Sequence, residues 1–275
     1  MYNRNDAMTW KDDVKTRFSV AQDAKKWDQM YEQDTEKLDE HIFRLRRDFT
    51  VDFIVNNYDE RAKLCDLGCG AGPVIFQMLS RGYDMVGLDY SGDMLGNAAK
   101  RLSAGQIRNK PLINGNCELL PFGDCIFDCV VCLGVISYVE NYENIIEEIF
   151  RVLKPGGTVL VSFRNKFNLI MNDPIVLLSS LAKKILFMSE KKNGFEIGQY
   201  LSAREVQALI KSKGFAFLDF RGIGFGPFSI KHKRLFSDKT SIKISQFISS
   251  LADKLNAEFV FKLASDVNIL IFRKP

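Results

Sequence analysis

The chain has 275 residues, 46% hydrophobic and 26% charged, which suits one large globular domain. No apolar run reaches the roughly 18 residues a membrane span needs. The N-terminus MYNRNDAMTWKDD also lacks a basic start followed by an apolar stretch, so a secretory leader is not expected. The net charge of +4 conceals an asymmetry. Residues 1–150 carry 17 Lys+Arg against 25 Asp+Glu, and residues 151–275 carry 21 against 9. The halves therefore stand at −8 and +12. That split points either to an anionic partner for the second half or to a solvated basic surface.

In chain order, VAQDAKKWDQMYEQ and HIFRLRRDFTVDFIVNNY space apolar residues by three and four, which predicts helices over residues 1–58. The pattern then changes. AKLCDLG reads as a short buried strand, PVIFQMLSRG as a helix closed by Gly82, and DMVGLDY as a second strand. SGDMLGNAAKRLSAG is a helix with a Ser91 cap and a Gly105 stop. KPLING and the apolar FDCVVCLGV give two more strands, YENIIEEIFRVLKPGG a helix with a Pro-Gly-Gly stop, and TVLVSFR a fifth strand. SAREVQALIKSKGF is a helix capped by Ser202, after which AFLDFRG and VNILIFRKP complete a sheet. Apolar strands alternating with helices predict a mostly parallel α/β sheet covered on both faces. Residues 1–58 are expected to form a helical cap and residues 59–275 the main domain. Insertions at 166–200 and 223–257 are expected to pack where the strands end.

All six cysteines fall between Cys65 and Cys132. The CVVC run has the spacing of a metal or redox motif. On a strand, however, residues i and i+3 point to opposite faces, so the two thiols cannot share one metal. Buried free thiols and a cytoplasmic protein are the expectation.

KLCDLGCGAG places Gly68, Gly70 and Gly72 in the first strand-to-helix loop, with Asp66 just before. In an open parallel sheet, ligands bind beyond the carboxyl ends of the strands. Glycines there let a ligand lie against the backbone. The spacing is G-x-G-x-G, and Pro73 occupies the place of the third glycine in the G-x-G-x-x-G dinucleotide motif. A carboxylate at Asp66 would repel a pyrophosphate but can hold an ammonium group or order waters around it. A nicotinamide oxidoreductase is therefore not expected.

These residues resemble the class I S-adenosylmethionine-dependent methyltransferases, of the methyltransferase type 11 kind. LCDLGCGAG is similar to the first motif and VGLDYSGDML to the second. GNCELLPFGDCIFDCVV and LKPGGTVLVS are similar to the two that follow, in the same order. The resemblance covers residues 60–163 well, residues 202–220 loosely, and neither insertion. It implies a Rossmann-like, doubly wound seven-stranded sheet and S-adenosylmethionine as cofactor. It also implies a cofactor site of Asp66, Gly68, Cys69 and Gly70, with Asp89 on the ribose hydroxyls. Tyr90 and Met94 would pack on adenine. Asn116 and Cys117 would sit at the adenine edge, Asn116 replacing the family's usual aspartate. Leu133 and Gly134 would line the pocket, and Tyr31 would close over it.

Methyl transfer from a sulfonium is an in-line displacement with a neutral leaving group, so the protein mainly aligns the acceptor and excludes water. A base is needed only for an acceptor that holds its proton at neutral pH, and no convincing one stands out. His41 lies in a charged helix and His232 in the basic run KHKR. Tyr138, just after the fourth strand, is a candidate for positioning the acceptor. Arg47 is a candidate partner for the methionine carboxylate. CLGVISYVEN lacks the Asp/Asn-Pro-Pro-aromatic tetrad of enzymes that methylate exocyclic amines of bases.

FNLIMNDPIVLLSSLAKKILFMSEKK reads either as a lid or as an interfacial helix on an anionic membrane. With GFGPFSIKHKRLF it suggests an acceptor that has an apolar part and a phosphate or carboxylate. The expected reaction is methyl transfer to an oxygen, nitrogen or carbon of a small or lipid-like metabolite. An RNA methyltransferase and a non-catalytic cofactor-binding partner protein are the alternatives. No RNA-binding motif is appended, and no metal is called for.

Overall fold

A computed structural model of the chain describes residues 37–139, 141–168, 199–230, 233–255, 257 and 264–275. The first described helix, α1 (Leu38–Asn57), buries Leu38, Ile42, Arg46, Thr50 and Ile54, one face at a spacing of four. The alternation that follows is β1 (Lys63–Leu67), α2 (Pro73–Leu79), β2 (Asp84–Asp89), α3 (Gly92–Ala104), β3 (Leu112–Asn114) and β4 (Phe127–Leu133). A 3₁₀ turn (Ile136–Tyr138), α4 (Glu143–Val152), β5 (Leu153–Arg164), α5 (Ala203–Ser212) and β6 (Ala216–Phe225) come next. A small hairpin of β7 (Ser229–Ile230) and β8 (Lys233–Arg234), then α6 (Asp238–Lys254) and β9 (Ser265–Arg273), complete the described elements.

Seven strands form one sheet in the order β3-β2-β1-β4-β5-β9-β6. The pairs β1–β2, β1–β4, β2–β3 and β4–β5 are parallel, and β9 runs antiparallel between β5 and β6. The sheet is thus mostly parallel, and its central strands are apolar on both faces because helices cover both. One face packs Leu38 and Ile42 of α1 with Val74, Ile75 and Met78 of α2. The other packs Ile145, Ile146 and Ile149 of α4 with Val206 and Ile210 of α5. Each such side chain contributes about 1.5–3 kcal/mol when fully buried.

The CVVC pair divides between these two cores. Cys129 lies in the α1 face and Cys132 in the α4 face, so no metal or disulfide can join them. All six thiols are free.

One boundary differs from the sequence expectation. The fourth-strand helix stops at Val152, not at Pro-Gly-Gly, and β5 already starts at Leu153. Leu153 pairs with Phe127, and Lys154 Nζ grips Asp128 at 2.8 Å, which draws the chain into the sheet before Pro155 is reached. Residues 223–257 contain the end of β6, the β7–β8 hairpin and α6, whose Ser245 Oγ accepts from Phe225 N at 2.8 Å. The helix expected over VAQDAKKWDQMYEQ, Tyr31 within it, most of the 166–200 segment and His232 lie outside the described residues.

Candidate active site

The carboxyl ends of β1, β2, β4 and β5 open on one edge of the sheet. After β1 the backbone turns through Gly68 (φ 68°), Gly70 (φ 53°) and Gly72 (φ 75°), all left-handed. A Cβ on Gly68 would stand 2.2 Å from Val135 Cγ2, so no side chain fits there. The loop is held by backbone: Gly68 N and Cys69 N both donate to Leu88 O, at 2.7 and 3.1 Å. Arg101 Nε of α3 donates to Ala71 O at 3.0 Å, bracing the far side.

Asp89 ends β2 and ties this loop to the next. Its Oδ2 accepts from Gly70 N and its Oδ1 from Ser91 N, both at 2.8 Å. Bonds of this kind to a charged group contribute about 1.5–3 kcal/mol each. With Tyr90 as a further backbone donor, the carboxylate still has acceptor capacity left for a ligand hydroxyl. Burial raises the Asp89 carboxyl, and the backbone donors Ser91, Gly70 and Tyr90 pull it back. Ser91 caps α3, its Oγ accepting from Met94 N. That cap sets Met94 beside the glycine loop, its Cε 3.2 Å from where a Gly70 Cβ would be. Tyr90 is half exposed at the rim, and its carbonyl is fixed by the Asn114 side-chain amide at 3.0 Å.

Asp66 lies beneath the loop, fully buried. Burial, then the neighbouring Asp89, push its carboxyl up to about 8, and Arg46 opposes the shift. A buried carboxylate in this state favours a cation beside it. Asn116 Oδ1 accepts from Glu118 N at 2.9 Å in a tight turn, which leaves that oxygen one lone pair. Cys117 is buried next to it, its thiol pushed up to about 12 by burial. The Cys69 thiol is buried and raised as well, and its Sγ packs where Gly87 leaves room. Leu133 ends β4 and is partly buried against the α1 face. Gly134 follows at φ 81°.

Arg46, which the sequence did not single out, reaches this edge. Its guanidinium lies over Phe43 and would meet a Gly134 Cβ at 2.9 Å. Arg47 instead turns away to pair with Asp48. The burial stripe of α1, Leu38-Ile42-Arg46-Thr50, was the signal that distinguishes the two arginines. His41 belongs to the same helix; burial lowers its pKa, and Arg44 adds to this. Tyr138 sits in the 3₁₀ turn after β4, half-buried. The structure therefore brings Asp66, Gly68, Cys69, Gly70, Asp89, Tyr90, Met94, Asn116, Cys117 and Leu133 to one edge, with Tyr138 further along it.

A family model described as a methyltransferase domain matches residues 65–161. A ubiquinone biosynthesis O-methyltransferase of Pseudomonas putida (strain GB-1) is 26% identical over 208 residues, 73% of this chain and 84% of that protein. A demethylmenaquinone methyltransferase of Lactococcus lactis is 27% identical, over 59% of this chain and 69% of that one. The crystal structure of magnesium protoporphyrin IX methyltransferase from Synechocystis PCC 6803, with S-adenosylhomocysteine bound, superposes with a TM-score of 0.64 at 16% identity. It covers 97% of this chain and all of that one. The matched span begins at the strand that carries Asp66 and ends on β5, so it contains both glycine loop and Asp89. Residues 65–161 thus match a methyltransferase domain, and the fold of the chain is that of the class I methyltransferases.

Proposed function

We propose that the chain transfers a methyl group from S-adenosylmethionine to a small, lipid-like acceptor at oxygen, nitrogen or carbon. The observation that carries this reading is Asp89, whose two oxygens clasp Gly70 and Ser91 and so fix its carboxylate at the mouth of the glycine loop. The residues fit the cofactor. Gly68, Cys69 and Gly70 offer a bare backbone wall. Asp66, buried and raised, suits an ammonium group. Asp89 suits the ribose hydroxyls, Tyr90 and Met94 the adenine faces, and Asn116 and Cys117 its edge. Leu133 walls the reacting end, and Tyr138 orients the acceptor. Tyr31 would close over the site, with residues 1–58 as its cap and residues 59–275 as the catalytic domain.

The cofactor supplies an activated methyl on a neutral leaving group. The chain's own work is to hold it, exclude water and align the acceptor. The relatives named for ubiquinone and menaquinone synthesis support a lipid-like acceptor. The surplus of 21 basic over 9 acidic residues in the second half supports an anionic group on it, and a peripheral contact with an anionic membrane. No helix of the described residues is long and apolar enough to cross a membrane. The six free thiols support a cytoplasmic setting.

Calorimetry tests the reading directly. S-adenosylmethionine and S-adenosylhomocysteine should bind at micromolar concentration and NAD should not. Asp89→Ala should weaken binding by about a hundredfold, the equivalent of one to two charge-assisted hydrogen bonds. Unaltered binding in the variant, or a preference for NAD, overturns it.

A further inference from the structure

Beyond Tyr138, the same edge carries a second group of polar side chains, from segments far apart in the chain. Arg164 ends β5, Tyr200 precedes α5, and Asp266 opens β9. Asp266 comes beside Arg164 because β9 returns antiparallel along β5, with Arg164 opposite Val267, and Tyr200 because Leu201 N donates to Arg164 O. Asn168 fixes Asp266, donating through Nδ2 to its Oδ1 at 2.6 Å and to Gly226 O at 3.0 Å. Ser137 Oγ accepts from Arg164 N at 3.2 Å and joins this group to the 3₁₀ turn that holds Tyr138.

The Arg164 guanidinium lies over the Tyr200 ring, with Cζ 5.7 Å from the centroid. Its electrostatic neighbours are Tyr138, Tyr200, Asp266 and Asp39. Neither carboxylate is within ion-pair distance. Asp39 lies 3.8 Å from Arg234, and Asp266 is held by Asn168. Among the described residues, no hydrogen bond is made by the guanidinium, so its planar fork of N–H groups remains available. An arginine stacked on one aromatic ring and half-buried beside another is pre-organised for a planar or tetrahedral oxyanion. The flanking tyrosines favour an aromatic body on the same ligand.

We propose that Arg164, over Tyr200 and with Tyr138 as a neighbour, forms the acceptor subsite and receives an oxyanion, a carboxylate or a phosphate, on an aromatic acceptor. The subsite rests on the cofactor reading above, since it takes its meaning from the cradle on the same edge.

The test uses the full chain saturated with S-adenosylhomocysteine and three probes: benzoate, phenyl phosphate and the neutral benzyl alcohol. Calorimetry should show one of the two anions binding at least about tenfold more tightly than the alcohol, as a charge-assisted bidentate pair predicts. Which anion wins identifies the source of the oxyanion. Arg164→Gln should erase the preference, and Arg164→Lys, which keeps the charge but not the fork, should reduce it about threefold or more. S-adenosylhomocysteine affinity should stay within about twofold in both, because neither touches the cradle. Should Arg164→Gln fail to fold, the Arg164→Lys comparison decides alone. Equal binding of anions and alcohol, no binding of any probe at millimolar concentration, or an unchanged preference in the variants overturns the proposal. Wild-type protein that does not bind S-adenosylhomocysteine overturns the cofactor reading and this one with it.

Discussion

Along the carboxyl edge of the sheet, the loops after β1 and β2 are held by backbone donors. Gly68 N and Cys69 N reach Leu88 O, and Gly70 N and Ser91 N reach Asp89. The segments after β4 and β5 also make backbone bonds, such as Gly134 N to Ser162 O and Leu201 N to Arg164 O, but side chains tie them to distant parts of the chain: Ser137 to Arg164, Asn165 to Ser265, and Asn168 to Asp266. A backbone-held loop demands a particular conformation, and therefore glycine, at fixed spacing. A region held by side chains demands only that partners meet in space, and many residue pairs satisfy that.

The contrast can be broken at Asp66, where the largest effect is expected. Its carboxyl releases its proton near pH 4 when unfolded, but only at about 8 when folded. The folded state therefore holds the extra proton between those values, and stability must fall as pH rises from about 4 to about 8. Denaturant titrations across this range should show a loss on the order of 3–5 kcal/mol, flattened by Asp66→Asn. The slope that remains combines Asp89 and Asp266, whose carboxyls burial also raises, with Asp128 and Glu148, whose carboxyls are lowered and act in the opposite sense. A variant as steep as wild type would remove Asp66 as the cause.

Gly68→Ala sharpens the comparison. It combines a positive φ with a Cβ 2.2 Å from Val135 Cγ2, and should cost about 2–4 kcal/mol in chemical denaturation. Adding Val135→Ala should restore the steric part and leave the φ cost of about 1–2 kcal/mol. The smallest effect is expected on the other half. Asn168→Ala removes two hydrogen bonds to buried groups and should cost about 1–3 kcal/mol, with S-adenosylhomocysteine affinity unchanged. A loss of cofactor affinity there would show that the two halves are not separable.

The glycine loop, Asp89 and the Ser91 cap were all legible from residue type and spacing, because each answers to a local backbone demand. So was the opposite facing of Cys129 and Cys132, which follows from the strand period alone. Arg46 could have been found from the fourfold burial stripe of α1, and Arg47 drew attention instead because charge is easier to see than phase. Arg164 and Asp266 were not legible. They lie about a hundred residues apart and meet only through the antiparallel return of β9, which no local pattern announces. The start of β5 at Leu153 was hidden for a related reason: its partner Phe127 belongs to another strand.

Asn165 and Leu201 form a parallel bridge, with Leu201 N donating to Arg164 O and Lys166 N to Leu201 O. Gln199 adds a second clasp, its N to Ser137 O and its Nε2 to Val139 O. The chain thus leaves the sheet and re-enters it at nearly the same point. Since closure entropy grows only with the logarithm of length, about 0.6 kcal/mol per doubling, the stretch between these clasps is thermodynamically cheap to lengthen, shorten or exchange. The clasps at Asn165–Leu201 and Gln199 therefore fix where the chain leaves and rejoins the sheet while constraining its length between them only weakly.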